Sequence, residues 1–273
     1  FIIISFFCHC NPPTCSICNI TTIFSIVKVY FTPKSFIVIM TLIHTELLRK
    51  GSANTHSRTY GGQEDPMKYK HIVFDVDGTL INTSENILCS LQQALKTTDG
   101  FCYDISELTF SLGCTSVVTL DRLKASDPDA TLTVWIENER KNAHMICLFD
   151  GILELLDCLK EQGCLLGIVT SRTHEELDLV FNTVPIRSYF DTIICSDDVE
   201  SPKPAPDPLI KYMEITGVSR QDIVYIGDTQ HDMNCACNAG IDHILAVWGT
   251  HNKGVTADYL PETPSELYSI LLK

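Results

Sequence analysis

The chain has 273 residues, 45% of them apolar, and a formal net charge of −14. That length suits one or two domains with a full core. From residue 67 onward 15 Lys/Arg face 31 Asp/Glu, a surface expected to repel nucleic acid and anionic membranes.

Residues 1–66 are rich in Ile, Phe, Thr and Cys. Pro12, Pro13, Lys28, Pro33 and Lys34 interrupt every window of about 20 residues that a membrane span requires, and a signal peptide would need a basic start. No stable membrane association is expected. Cys8, Cys10, Cys15 and Cys18 are loosely spaced like zinc ligands but lack the pairing of a knuckle. Met67-Lys68-Tyr69-Lys70 reads as a translation start, and residues 1–66 as a poorly ordered upstream extension in the manner of translated non-coding sequence.

Ile72-Val73-Phe74 is a short apolar run closed by a turn signal, which suits a buried parallel strand. It ends in Asp75 and Asp77. Side chains two apart on an extended chain point the same way, so both acids are expected to face one cleft. Gly78 lets the backbone turn off the strand end. In open α/β sheets, ligands bind beyond the carboxyl ends of strands. Like charges ~4 Å apart repel by roughly 4 kcal/mol at an effective dielectric of about 20, so a proton or a metal ion must settle the pair. One acid can then be a nucleophile and its neighbour a general acid. Asp-x-Asp-Gly alone is also an ordinary turn sequence.

About 65 residues follow before the next β-α unit, far longer than a normal connection. Amphipathic stretches at Ile87–Leu95, Val117–Leu123 and Trp135–Met145 suit an inserted helical cap, residues 83–149, that excludes water and selects the substrate. Arg122, Lys124, Arg140, Lys141 and His144 are its cationic candidates for substrate contact, although a solvated helix face is the more ordinary place for each. Helices are predicted over Ser84–Lys96, Ile152–Gln162, Glu175–Phe181, Pro208–Thr216, Asp232–Ala239 and Ser265–Leu272. Strands are predicted over Cys164–Val169, Thr192–Cys195, Asp222–Ile226 and His243–Val247. This alternation predicts a parallel, three-layer α/β/α sheet from residues 67–82 and 150–273.

Val224-Tyr225-Ile226 is a second apolar strand ending in an acid, Asp228, and Gly227 permits close backbone approach. Carboxylates at adjacent strand ends form an oxygen-rich site suited to Mg²⁺. Lys203, among prolines that each fix φ, is placed to offset charge and grip a phosphate. Asp228 also reads as the start cap of the next helix, Thr170 as a strand-end hydroxyl, and Asp232 as a helix-surface acid.

Asp75-Val76-Asp77-Gly78-Thr79-Leu80 resembles the first motif of the haloacid dehalogenase superfamily. Ile168-Val169-Thr170 resembles its second, Lys203 within Ser201–Pro206 its third, and Ile226-Gly227-Asp228-Thr229 with Asp232 its fourth. The four stand in the family's order, and Asn82 departs from it where many relatives carry Asp. The resemblance implies that Asp75 attacks phosphorus to give an aspartyl-phosphate, while Asp77 protonates the leaving oxygen and then deprotonates the hydrolytic water. It implies Mg²⁺ held by Asp75, the backbone carbonyl of Asp77, and Asp228, with Asp232 nearby. Thr170, Ser171 and Lys203 would bind the phosphoryl oxygens. The branch it points to is phosphoglycolate-phosphatase-like, with a helical cap. A β-phosphoglucomutase-like sugar phosphomutase, a pyrophosphatase and a non-catalytic phospho-acceptor or binding module are the alternatives.

The acidic surface favours a small phosphorylated metabolite over a polyanion, acted on by a monomer or homodimer. Nine of the thirteen cysteines are scattered through the α/β region. Cys158, Cys164 and Cys195 fall on elements expected to be buried, and free buried thiols suit a reducing cytoplasm.

Overall fold

The computed structural model describes residues 67–252 and 254–272; the expectations for residues 1–66, including Cys8, Cys10, Cys15 and Cys18, lie outside the described residues. Strand β1 (His71–Phe74) is the centre of a five-stranded, fully parallel sheet. Its neighbours are β4 (Leu165–Val169) and β6 (Ile223–Gly227), with β5 (Thr192–Ile194) and β7 (Asp242–Leu245) at the edges. Every residue of β1 and β6 is buried, as both faces of a parallel sheet must be covered.

One face packs Ile72, Phe74, Ile168 and Ile226 against α5 (Ile152–Glu161), α6 (His174–Thr183) and α9 (Pro264–Leu271). The other packs Val73, Val169 and Tyr225 against α7 (Asp207–Thr216) and α8 (Gln230–Ala239). This is the three-layer α/β/α fold that the alternation predicts. Among the described residues, no helix is long and apolar enough to cross a membrane.

Between β1 and β4 lies a helical insertion: α1 (Ser84–Thr98), α2 (Ile105–Leu108), α3 (Ser116–Leu123) and α4 (Pro128–Lys141). Its core is separate, built from Ile87, Leu88, Leu91, Leu95, Leu108, Leu120 and Trp135. A two-stranded antiparallel ladder, β2 (Ile81–Asn82) with β3 (Cys147–Leu148), closes its base. Such short strands carry too little alternation to be read in sequence. Asn82 sits on that ladder, exposed and paired with Cys147.

Element ends differ by one or two residues where caps decide them. Helix α8 begins at Gln230, two residues before the predicted start, because Thr229 and Asp232 form a capping box. Helix α6 begins at His174 for the same reason, with Thr173 and Glu176. Cys164 and Cys195 are buried as expected, whereas Cys158 on α5 is only half-buried.

Candidate active site

Beyond the carboxyl end of β1, the chain bends at Gly78, whose φ of +75° and lack of a Cβ are both required. A Cβ there would lie 2.2 Å from Asp228 Oδ2. This close approach brings the ends of β1 and β6 together, and oxygens of Asp75, Asp228 and Asp232 lie within 4.8 Å of one another. All three side chains are buried. Lys203 enters beneath them at 5% exposure. Its Nζ donates to Asp75 Oδ1 at 2.8 Å, Asp232 Oδ1 at 2.6 Å and Tyr225 Oη at 3.1 Å.

Asp232 owes its place to the helix it caps. Its Oδ2 accepts from Thr229 N (3.0 Å) and Thr229 Oγ1 (2.5 Å), leaving Oδ1 to Lys203 and Tyr225. Both oxygens are thus engaged. Asp228 is the opposite case: Thr229, not Asp228, caps the helix, and no ion pair reaches Asp228 among the described residues. Its Oδ1 accepts only a 3.3 Å bond from Thr79 Oγ1.

The electrostatics follow from that difference. Burial pushes Asp75 up to about 7, with Lys203 opposing and the charges of Asp232 and Asp77 adding. Burial, reinforced by Asp232 and Asp75, raises Asp228 well above the carboxylate range. For Asp232 the burial penalty is outweighed by Lys203 and Thr229, which lower it. Burial also works against charge on Lys203, but Asp232 and Asp75 outweigh it and raise its pKa. With all three carboxylates ionised, the single ammonium leaves two negative charges in excess in a buried site, a state that burial opposes until a cation offsets it. That excess, and the oxygen-only donor set around Asp228, fit a hard divalent cation such as Mg²⁺.

Asp77 does not join this cluster through its side chain. Its carboxylate turns to Arg172, which donates Nε to Oδ2 at 2.8 Å and Nη2 to Oδ1 at 2.9 Å. Thr170 is 1% exposed and its Oγ1 accepts from Arg172 N at 3.2 Å. Ser171 donates to Gly113 O of the insertion at 2.9 Å. A cavity of about 50 Å³ above the cluster is lined by Asp75, Asp77, Trp135, Glu139, Ser171 and Arg172 among others. A second hollow, about 530 Å³, adjoins Asp228 and is lined by Arg122, His231 and His251.

Of the five cations proposed for the insertion, only Arg122 lines either of these two cavities. Arg140 and Lys141 are spent on exposed pairs with Glu175 and Glu137, and Lys124 and His144 are exposed. Sequence reasoning missed Arg172 and Glu139. Glu139 did carry a signal, for it extends the buried stripe Thr131, Trp135, Asn138 on α4. A second group, His174, Cys195, Asp197 and Asp198, also has metal-ligand chemistry. Its members already bond one another and the start of α6.

The sequence profile of the haloacid dehalogenase-like hydrolases matches residues 72–246. The chain belongs to that family. A pyrophosphatase PpaX from Bacillus mycoides is 28% identical over 207 residues, covering 76% of this chain and 96% of the relative. The PpaX of Bacillus velezensis is 29% identical over 205 residues, covering 74% of this chain and 94% of its own length. A predicted phosphatase from Clostridium acetobutylicum superposes with a TM-score of 0.64 at 26% identity, covering 75% of this chain and 98% of that one. A structure from Lactobacillus plantarum, provisionally named a phosphoglycolate phosphatase, gives 0.68 at 27% identity, covering 75% and 100%.

Proposed function

We propose that this phosphatase of the haloacid dehalogenase-like family hydrolyses a small phosphomonoester through an aspartyl-phosphate on Asp75, with Mg²⁺ as cofactor. The observation that carries the reading is the buried cluster of Asp75, Asp228, Asp232 and Lys203, two negative charges in excess, beneath a cavity that Asp75 and Asp77 line. Asp75 and Asp228 would hold the ion with the Asp77 carbonyl, and Asp232 would hold Lys203. When bound, the ion supplies charge neutralisation to the phosphoryl oxygens.

The chain's own residues do the rest. An Asp75 oxygen attacks phosphorus, and the bond to the leaving oxygen breaks as that oxygen takes a proton from Asp77. Water then attacks the phosphorus of the ester, giving its proton to Asp77 and releasing phosphate and Asp75. Lys203 and the hydroxyls of Thr170 and Ser171 would neutralise and orient the phosphoryl oxygens. The helical insertion would serve as a cap excluding water from the ester. The nine cysteines of the described residues are all free, which supports a reducing, cytoplasmic setting.

A second reading, pyrophosphate hydrolysis, is favoured by the naming of the Bacillus relatives and by the hollow beside Asp228, whose Arg122, His231 and His251 suit a second phosphate. The test is release of inorganic phosphate from p-nitrophenyl phosphate, pyrophosphate and a panel of phosphomonoesters, with and without Mg²⁺. Trapped ³²P on the wild-type chain, absent from Asp75→Asn, is expected. Wild-type turnover by Asp75→Asn would sink the mechanism.

A further inference from the structure

Arg172 and Glu139 are buried charges for which the mechanism above has no use. The Arg172 side chain is 8% exposed, Glu139 6% and Asp77 16%. Arg172 Nη1 donates to Glu139 Oε2 at 3.0 Å while its other two nitrogens grip both oxygens of Asp77. The three residues come from separate parts of the chain: the loop after β1, the loop after β4, and helix α4 of the insertion. Replacing a buried ionic trio by apolar side chains is often neutral or stabilising, so stability alone is a poor reason for its presence. Geometry is a better one. A planar fork on a carboxylate fixes the plane of the carboxylate as well as its position, which an ammonium cannot do.

The clamp also distinguishes the two oxygens. Asp77 Oδ1 accepts from Arg172 and from Thr83 Oγ1 (2.5 Å), whereas Oδ2 accepts from Arg172 Nε alone. With room for two bonds on each oxygen, Oδ2 is the atom left to carry a proton.

We propose that Arg172 is a positioning residue that presents Asp77 Oδ2 to the leaving oxygen, and that Glu139 makes this presentation depend on the docked insertion. The proposal rests on the reading of Asp77 as the acid, so its test carries a separate control for that reading. Phenyl phosphate and p-nitrophenyl phosphate are nearly the same shape, but phenolate needs a proton to leave and p-nitrophenolate hardly does. Their kcat/KM values exclude hydrolysis of the ester once transfer to Asp75 is irreversible. In the full chain with Mg²⁺, Arg172→Lys should lower kcat/KM for phenyl phosphate about tenfold more than for p-nitrophenyl phosphate. Glu139→Gln should show the same bias by about threefold, keeping an acceptor for Arg172 and therefore the fold. Asp77→Asn is the control.

If Asp77→Asn shows the bias and both other variants lower the two substrates equally, Arg172 is merely structural and the proposal fails while the acid assignment stands. A bias in Arg172→Lys but none in Glu139→Gln overturns the link to the insertion. Absence of bias in Asp77→Asn itself sinks the acid assignment instead. Should Arg172→Lys melt near assay temperature, the Glu139→Gln result decides.

Discussion

At the amino ends of the strands, Asp242 accepts from Tyr69 Oη at 2.5 Å and Lys68 Nζ at 3.2 Å, while Asp191 accepts from Lys160 Nζ at 2.7 Å and Leu166 N at 3.1 Å. At the carboxyl ends, Asp75, Asp228 and Asp232 crowd around one Lys203. The first set is half in water and each acid has its own donors, so Asp242 is lowered chiefly by Tyr69. The second set is almost wholly buried, and Asp75 and Asp228 are raised. The same residue type is thus a modest stabiliser at one end and an electrostatic burden at the other. Burden without a structural return is what a ligand site requires, because binding relieves it.

The contrast breaks most visibly at the nucleophile. Asp75→Asn should lower kcat on p-nitrophenyl phosphate by about 10⁴-fold or more with the circular dichroism spectrum unchanged. Lys203→Met, which removes the only cation of the cluster, should cost about 10²–10³-fold in kcat/KM. It should also lower the melting temperature, since Asp75 and Asp232 lose their partner.

Asp228→Asn sharpens the comparison further. A carboxylate whose folded pKa is raised opposes folding above its unfolded value of about 4, and the penalty grows as pH rises toward the folded pKa. The metal-free variant should therefore melt about 2–4 °C above metal-free wild type at pH 7, with the gain gone near pH 4. Added Mg²⁺ should stabilise wild type but not the variant. A metal-free variant less stable than wild type at pH 7 would show that Asp228 is not burdened.

At the opposite end, Asp242→Asn should leave activity untouched and lower the melting temperature by only about 1–2 °C, since half-exposed pairs are worth under about 1 kcal/mol. The sign reverses here. A folded pKa below the unfolded value stabilises above about pH 4 and fades as pH falls through the folded pKa, so the two melting curves should converge in acid.

How much of this was legible depends on how far each cause reaches along the chain. The period-2 reading of Asp75 and Asp77 put both beyond one strand end, where they are. Yet their side chains part company, Asp75 to Lys203 and Asp77 to Arg172. By sequence Asp228 suits either a metal-site acid or a helix cap. The capping box of Thr229 and Asp232, itself a local pattern, leaves the cap to Thr229. Asp232, which by sequence reads as a helix-surface acid, is instead fully buried, with its two oxygens engaged by Lys203 and by Thr229 of the capping box.

Local sequence determined the strands, the helices and the parallel alternation, because apolar period, caps and breakers act within a few residues. It also determined that acids would stand at the ends of β1 and β6. Only the tertiary structure decided that Lys203 pairs with Asp75 and Asp232, that Asp228 is left bare, and that Glu139 and Asp77 share Arg172. Those outcomes turn on burial and on bonds between residues 128, 95 and 33 positions apart. No local pattern encodes such separations, and the energy of a buried charge is set by what surrounds it.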